Sequence, residues 1–274
     1  MENTAQIDQT RFSALLKEWR LRRRMSQLDL ASEADVSQRH LSFMESGRSK
    51  PSRDMILRLA DRLSVPLREQ NTLLVAAGFA PAYQERPIDD PTLQAARHAV
   101  EKILKGHEPH PALAIDRHWT LISANSAIDN LLEGVDGDLL EPPVNVLRLS
   151  LHPRGLAPQI DNIREWRHHI FERLERQIDA TGDTVLTGLL EELMALPVPS
   201  GAKRYHPGNG RSFGGIAIPL QLAHPDGTLS FISTTTVFGT ALDVSLSELA
   251  IEAFYPMDNF TAARMQLMQT QPSG

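Results

Sequence analysis

The 274-residue chain contains no cysteine, which excludes disulfides, thiolate nucleophiles and cysteine-ligated zinc or iron–sulfur centres. It has no apolar run near the ~18 residues that a membrane-spanning helix needs. Its opening, MENTAQIDQTRF, lacks the basic-then-apolar order of a signal peptide, so a cytoplasmic chain without membrane contact is expected. Internal repeats and low-complexity tracts are missing as well. So are the G-x-S-x-G elbow, the H-E-x-x-H pair and the phosphate-binding loop that would announce a common catalyst. The glycine-rich GNGRSFGG precedes a strand instead of opening a helix, which fails the context of a dinucleotide site. No catalytic residue is assigned, and an enzyme is not expected.

Hydrophobic residues make up 41% and charged residues 23%, ordinary globular values, and the length suits two domains. The net charge of −6 is unevenly placed. Residues 1–80 carry 13 Lys and Arg against 10 Asp and Glu, a net +3, which leaves −9 for residues 81–274. That asymmetry suits a nucleic-acid partner for the first part alone.

From Arg11 to Ala77 the apolar spacing is helical, with breaks at Arg24–Ser26, Asp35–Ser37, Gly47–Ser52 and Ser64–Pro66 that divide it into five short helices. Three prolines in GFAPAYQERPIDDP interrupt any period and mark a linker. The expected domains are 1–78, a linker at 79–91, and 92–274. In the second, Thr92–Lys105 reads as an amphipathic helix suited to joining domains or pairing with its copy in a dimer. Two short strands flank DRHW within 112–122, Asn125 stands where a helix cap is needed, and two amphipathic helices cover 160–180 and 183–196. Strands follow within 213–238 around His224-Pro-Asp-Gly227, then LAIEAFYP and a last helix from Asp258. Strands flanking a helical middle describe an α+β domain with an antiparallel sheet.

The stretch SQLDLASEADVSQRHLSFMESGRSKPS from Ser26 carries the functional signal. Ser26 is placed to cap a helix, with Asp29 reaching back and Met25 and Leu30 in the staple positions. Ser37 repeats this with Val36 and Leu41. In the second helix Leu41 and Met44 share the core face, which leaves Gln38, Arg39 and Ser42 outward. These residue types read base edges, and they lie at the helix end that helix-turn-helix proteins present to the major groove. Gln27, Ser37, Arg48, Lys50 and Arg53 are placed to hold phosphates, which gives affinity without sequence information. A solvated helical hairpin that recruits a protein partner and never reads DNA is the alternative.

The Ser26-Gln27 start, Ala31, Val36-Ser37, Ser42 and Glu45-x-Gly47 resemble the DNA-binding domain of XRE-type, phage-repressor-like regulators. Asp35 departs from that pattern, standing where such domains often have Gly, but Asp tolerates a left-handed backbone better than most residues. The runs NVLRLSLHPRGLAP, SFGGIAIPLQL and LSFISTTTVFGTALDVSLSELAIEAFYPMD resemble the MmyB-like ligand-binding domain fused to such regulators. The resemblance implies an N-terminal all-α five-helix domain and a PAS-like C-terminal domain, an antiparallel sheet whose helices enclose an apolar cavity. It also implies a small apolar, fatty-acid-like effector that modulates DNA binding. The lining is expected from Leu113, Ile115, Trp119, Ile216, Phe231 and Phe254, with His152 of the His-Pro-Arg-Gly run available for a polar ligand group. No cofactor is expected. Nor is a metal, since the adjacent His168 and His169 point about 100° apart on a helix. The partners expected are a near-palindromic double-stranded operator and a second copy of the chain.

Overall fold

Serine hydroxyls start three of the helices in the N-terminal part of this computed structural model, which describes residues 2–203, 218–239 and 243–270, the side chains of 2–9 excepted. The helices are α1 (Glu2–Arg22), α2 (Gln27–Glu33), α3 (Gln38–Glu45), α4 (Arg53–Arg62) and α5 (Leu67–Ala76). Ser26 Oγ accepts from Asp29 N at 3.1 Å while Ser26 N donates to the Asp29 carboxylate at 2.9 Å, closing a capping box. Ser37 Oγ accepts from His40 N at 3.1 Å and Ser52 Oγ from Met55 N at 3.2 Å. Each bond satisfies a backbone donor that the helix start leaves free. Asp35 adopts φ 52° at the turn between α2 and α3.

Phe12, Leu16, Leu30, Leu41, Met44, Ile56 and Leu59 are fully buried and close one core over these helices. Helix α1 begins nine residues earlier than the apolar period suggests. Residues 2–10 hold neither Gly nor Pro, and extending an existing helix costs little compared with nucleating one.

The chain divides into two compact units, the first built on residues 1–86 and the second on most of the remainder. The second contains α6 (Gln94–Gly106), β1 (Ala112–Ile115), β2 (Leu121–Ala124), α7 (Ser126–Asp129), α8 (Val146–Leu151), α9 (Ile163–Thr181) and α10 (Thr184–Ala195). Farther along the chain come β3 (Leu220–His224), β4 (Gly227–Val237), α11 (Val244–Ser247), β5 (Ala250–Pro256) and α12 (Asn259–Thr270). Among the described residues the strands form one antiparallel sheet in the order β2-β1-β5-β4-β3, a PAS-like arrangement. The β3–β4 hairpin turns on Pro225 and Asp226, with His224 opposite Gly227.

Every residue of β1 is buried, because both faces of the sheet are covered there. Ala112 and Ala114 meet Val100 and Leu104 of α6 on one face, while Leu113 and Ile115 enter the main core on the other. That core adds Trp119, Trp166, Ile170, Leu174, Leu222 and Phe231.

Asn125 stands at the start of α7, but its side chain makes no cap. It is buried, accepts from Ala112 N at 3.0 Å and donates to the carbonyls of Leu104 and His110 at 3.0 and 2.8 Å. Glu108 serves the free end of α7 instead, accepting from Ser126 Oγ at 2.9 Å. A buried amide that ties two strand ends and a helix together satisfies more polar groups than a cap would. Among the described residues no helix is long and apolar enough to cross a membrane.

Candidate nucleic-acid interface and ligand cavity

Helix α3 is split lengthwise by burial. Leu41 and Met44 are fully buried, while Ser37, Gln38 and Arg39 at its N-terminal end are exposed and Ser42 is half-buried. Arg48, Lys50 and Arg53 follow as exposed side chains between α3 and the first turn of α4. The expected base-reading and phosphate-contacting residues thus all keep solvent-accessible surface on the first unit. Gln27 differs in part, because its Nε2 donates to Glu45 Oε2 at 2.8 Å and only its other amide hydrogen is left for a phosphate.

Glu45 is the centre of a polar knot beneath this surface. Arg20 of α1 meets it with two parallel bonds, Nε to Oε1 at 2.6 Å and Nη2 to Oε2 at 2.8 Å, and also donates to the Met25 carbonyl at 2.8 Å. Both side chains are nearly inaccessible, at 8% for Arg20 and 3% for Glu45. The paired carboxylate holds the Arg20 pKa above its ordinary value. Burial pushes the Glu45 carboxyl up, but the Arg20 and Gln27 hydrogen bonds, with the charges of Arg20 and Lys17, outweigh it and leave its pKa lowered. The knot fixes α1, the start of α2 and the end of α3 relative to one another.

Phe43 was not singled out in the sequence. Its ring lies 5.3 Å from the Arg39 guanidinium and 5.9 Å from that of Arg48, within the range of cation–π attraction. One half-buried aromatic therefore aligns a residue expected at bases with one expected at phosphates. The i,i+4 spacing of Arg39 and Phe43 was the available signal.

In the second unit an apolar cavity of about 350 Å³ opens between the sheet, α8 and α9. Its wall includes Leu113, Trp119, Leu147, Trp166, Ile170, Leu222 and Phe254, with Arg173, Glu252, His169 and Ser233 at a polar part. Trp119 has φ 67°, unusual for a bulky residue. It ends an Asp116 turn in which Oδ1 accepts from His118 N and Thr120 N, both at 2.8 Å. Its indole N–H donates to Gln177 at 3.0 Å, and its ring lies 4.4 Å from the Arg173 guanidinium.

Of the residues expected at a ligand, Leu113, Trp119 and Phe254 line this cavity. Ile115 and Phe231 sit in the surrounding core; Phe231 is fully enclosed by its neighbours and has no surface to offer. Ile216 lies outside the described residues. His152 is the C-cap of α8 and is not on the cavity wall; its Nδ1 accepts from Arg154 N at 3.1 Å. The run it begins is explained by Gly155, where a Cβ would lie 2.2 Å from the Leu149 carbonyl oxygen. Leu156 N donates to that same oxygen at 2.9 Å, so the chain must double back against α8 with no side chain in between.

Trp166, Ile170 and Arg173 mark the inward face of α9, spaced as its helical period requires. Their shared destination could be read from that stripe. The pairing of Arg173 with Glu252, 79 residues away, could not.

Residues 96–268, more than half of the chain, match the family model of the MmyB-like transcription regulator ligand binding domain, and residues 16–70 match a helix-turn-helix model. No curated protein matches. A solved structure, the clp gene regulator ClgR from Corynebacterium glutamicum, is similar over 38% of this chain and 98% of its own, at 21% identity and a TM-score of 0.24. That degree of likeness is too low to bear on the fold. With an XRE-like helix-turn-helix ahead of the ligand-binding domain, the chain belongs to the MmyB-like family of DNA-binding transcription regulators.

Proposed function

We propose that the protein binds a near-palindromic operator as a homodimer, reading bases with Gln38, Arg39 and Ser42 of α3, and that a small lipid-like effector in the cavity adjusts its DNA affinity. The observation that carries this reading is the lengthwise division of α3. Its apolar side is committed to the core, and its exposed N-terminal end carries side chains able to pair with base edges. Ser37, Arg48, Lys50, Arg53 and the remaining amide hydrogen of Gln27 hold the flanking phosphates. In a dimer the two copies of α3 would enter successive major grooves ~34 Å apart. The effector acts only through its preference for one arrangement of that dimer, since equal affinity for both would shift nothing.

Selection of binding sites from a random DNA pool, followed by anisotropy titrations, tests this. Arg39→Ala should weaken binding to the selected site by ~1–3 kcal/mol and relax one base position, whereas Lys50→Ala should weaken all DNA and lower the salt slope by about one. Recovery of no preferred sequence, or an equal loss on specific and random DNA for Arg39→Ala, refutes base reading by this helix.

A further inference from the structure

Phe43 is the one large apolar side chain of α3 that the core does not claim. Leu41 and Met44 are fully buried, whereas Phe43 is half-buried and is not among the apolar residues packed against the core of the first unit. At ~100° per residue, Arg39 and Phe43 stand ~40° apart on the side of the helix roughly opposite Leu41 and Met44. Two arginines lie over the ring instead, the Arg39 guanidinium at 5.3 Å and that of Arg48 at 5.9 Å from its centroid. The turn that ends α3 secures the second of them, because the Phe43 carbonyl accepts from Arg48 N at 2.8 Å and from Ser49 N at 3.2 Å.

Both covering groups are the ones that DNA would engage. Drawn to a guanine edge and to a phosphate, each guanidinium trades part of its contact with the ring for charge-assisted hydrogen bonds. The ring then faces the groove beside Arg39, where a polar base edge would give up hydrogen bonds to water and gain none from it. The major-groove edges of the four bases carry a single kind of apolar group, the 5-methyl of thymine, which phenylalanine can meet by apolar contact. Arg39 and Phe43 are ~6 Å apart along the helix axis and stacked base pairs ~3.4 Å apart, so that thymine falls within about two base pairs of the guanine.

We propose that Phe43 is a further specificity-determining residue, which reads the 5-methyl group of a thymine within about two base pairs of the guanine held by Arg39. It adds an apolar contact to the polar readers Gln38, Arg39 and Ser42. The assignment rests on the reading that α3 enters the major groove.

Uracil differs from thymine only in lacking that methyl. Each thymine of the selected operator is replaced in turn by uracil in one half-site, and the full-length protein is titrated by anisotropy. Replacement at one position, within about two base pairs of the pair that depends on Arg39, should weaken binding roughly fourfold, the worth of one buried methyl. In Phe43→Ala the same replacement should change affinity by less than about 1.5-fold. An aromatic that only held the two arginines in place would be indifferent to the methyl. A uracil penalty that persists in Phe43→Ala therefore overturns the proposal, as does a selected site with no thymine in that range. A preferred site that still depends on Arg39 but shows no uracil penalty removes the role of Phe43 alone, whereas recovery of no preferred sequence removes base reading by α3 and this role with it. Should Phe43→Ala not fold, Phe43→Gln, which keeps a long side chain with a polar tip, takes its place with the same expected loss of the penalty.

Discussion

Removing the Glu45 carboxylate tests how much the buried polar knot contributes to the stability of the first unit. In Glu45→Ala, Arg20 keeps its charge at 8% side-chain exposure but retains only the Met25 carbonyl of its recorded partners, and Gln27 loses its acceptor. Breaking one side of a buried ion pair costs about 3–5 kcal/mol. At about 0.05–0.15 kcal/mol per residue, a unit of this size holds roughly 4–13 kcal/mol in total, so the loss is a large share. Urea titration of the full-length chain, read by hydrogen exchange of peptides from α1 to α5, measures it there and leaves the second unit as an internal control. A loss under ~1 kcal/mol, the range of an exposed pair, refutes the reasoning. The effect of pH has a fixed sign. The folded Glu45 pKa is lowered, so its stabilisation is fully present above the unfolded value, about pH 4, and is lost as pH falls through the folded one. Glu45→Gln should lack that acid dependence.

Gly155→Ala should destabilise the second unit by about 3 kcal/mol or more, a Tm decrease of roughly 6–12 °C, because the new methyl would overlap the Leu149 backbone. An unchanged Tm by calorimetry would show that the turn has room. Ile170→Phe should fill part of the cavity from α9, at a stability cost of about 1–3 kcal/mol, and reduce binding of an apolar fluorescent probe at least roughly tenfold. Unaltered probe binding by a folded Ile170→Phe protein would place the probe elsewhere.

The five N-terminal helices were legible because their punctuation is local. Ser26, Ser37 and Ser52 each satisfy a donor three residues on, and Asp35 turns the chain by its own backbone conformation. The hairpin at Pro225-Asp226 was legible for the same reason. The start of α1 was not, because residues 2–10 extend a helix without an apolar period to mark it. Asn125 misled: its position is that of a cap, but burial turned its amide toward backbone groups 13 to 21 residues away. Ile115 and Phe231 have the chemistry of a cavity wall, and only packing shows that other side chains enclose them.

By itself, then, the sequence determined where helices and strands start and stop and which side chains of α3 face away from the core, since capping, turn chemistry and periodicity act over a few residues. The tertiary structure alone decided which charges meet. Arg20 finds Glu45 across 25 residues and Arg173 finds Glu252 across 79, and the first pairing ties α3 to α1 while the second lies in the wall of the cavity. Such contacts depend on how distant elements pack, and no spacing along the chain encodes them.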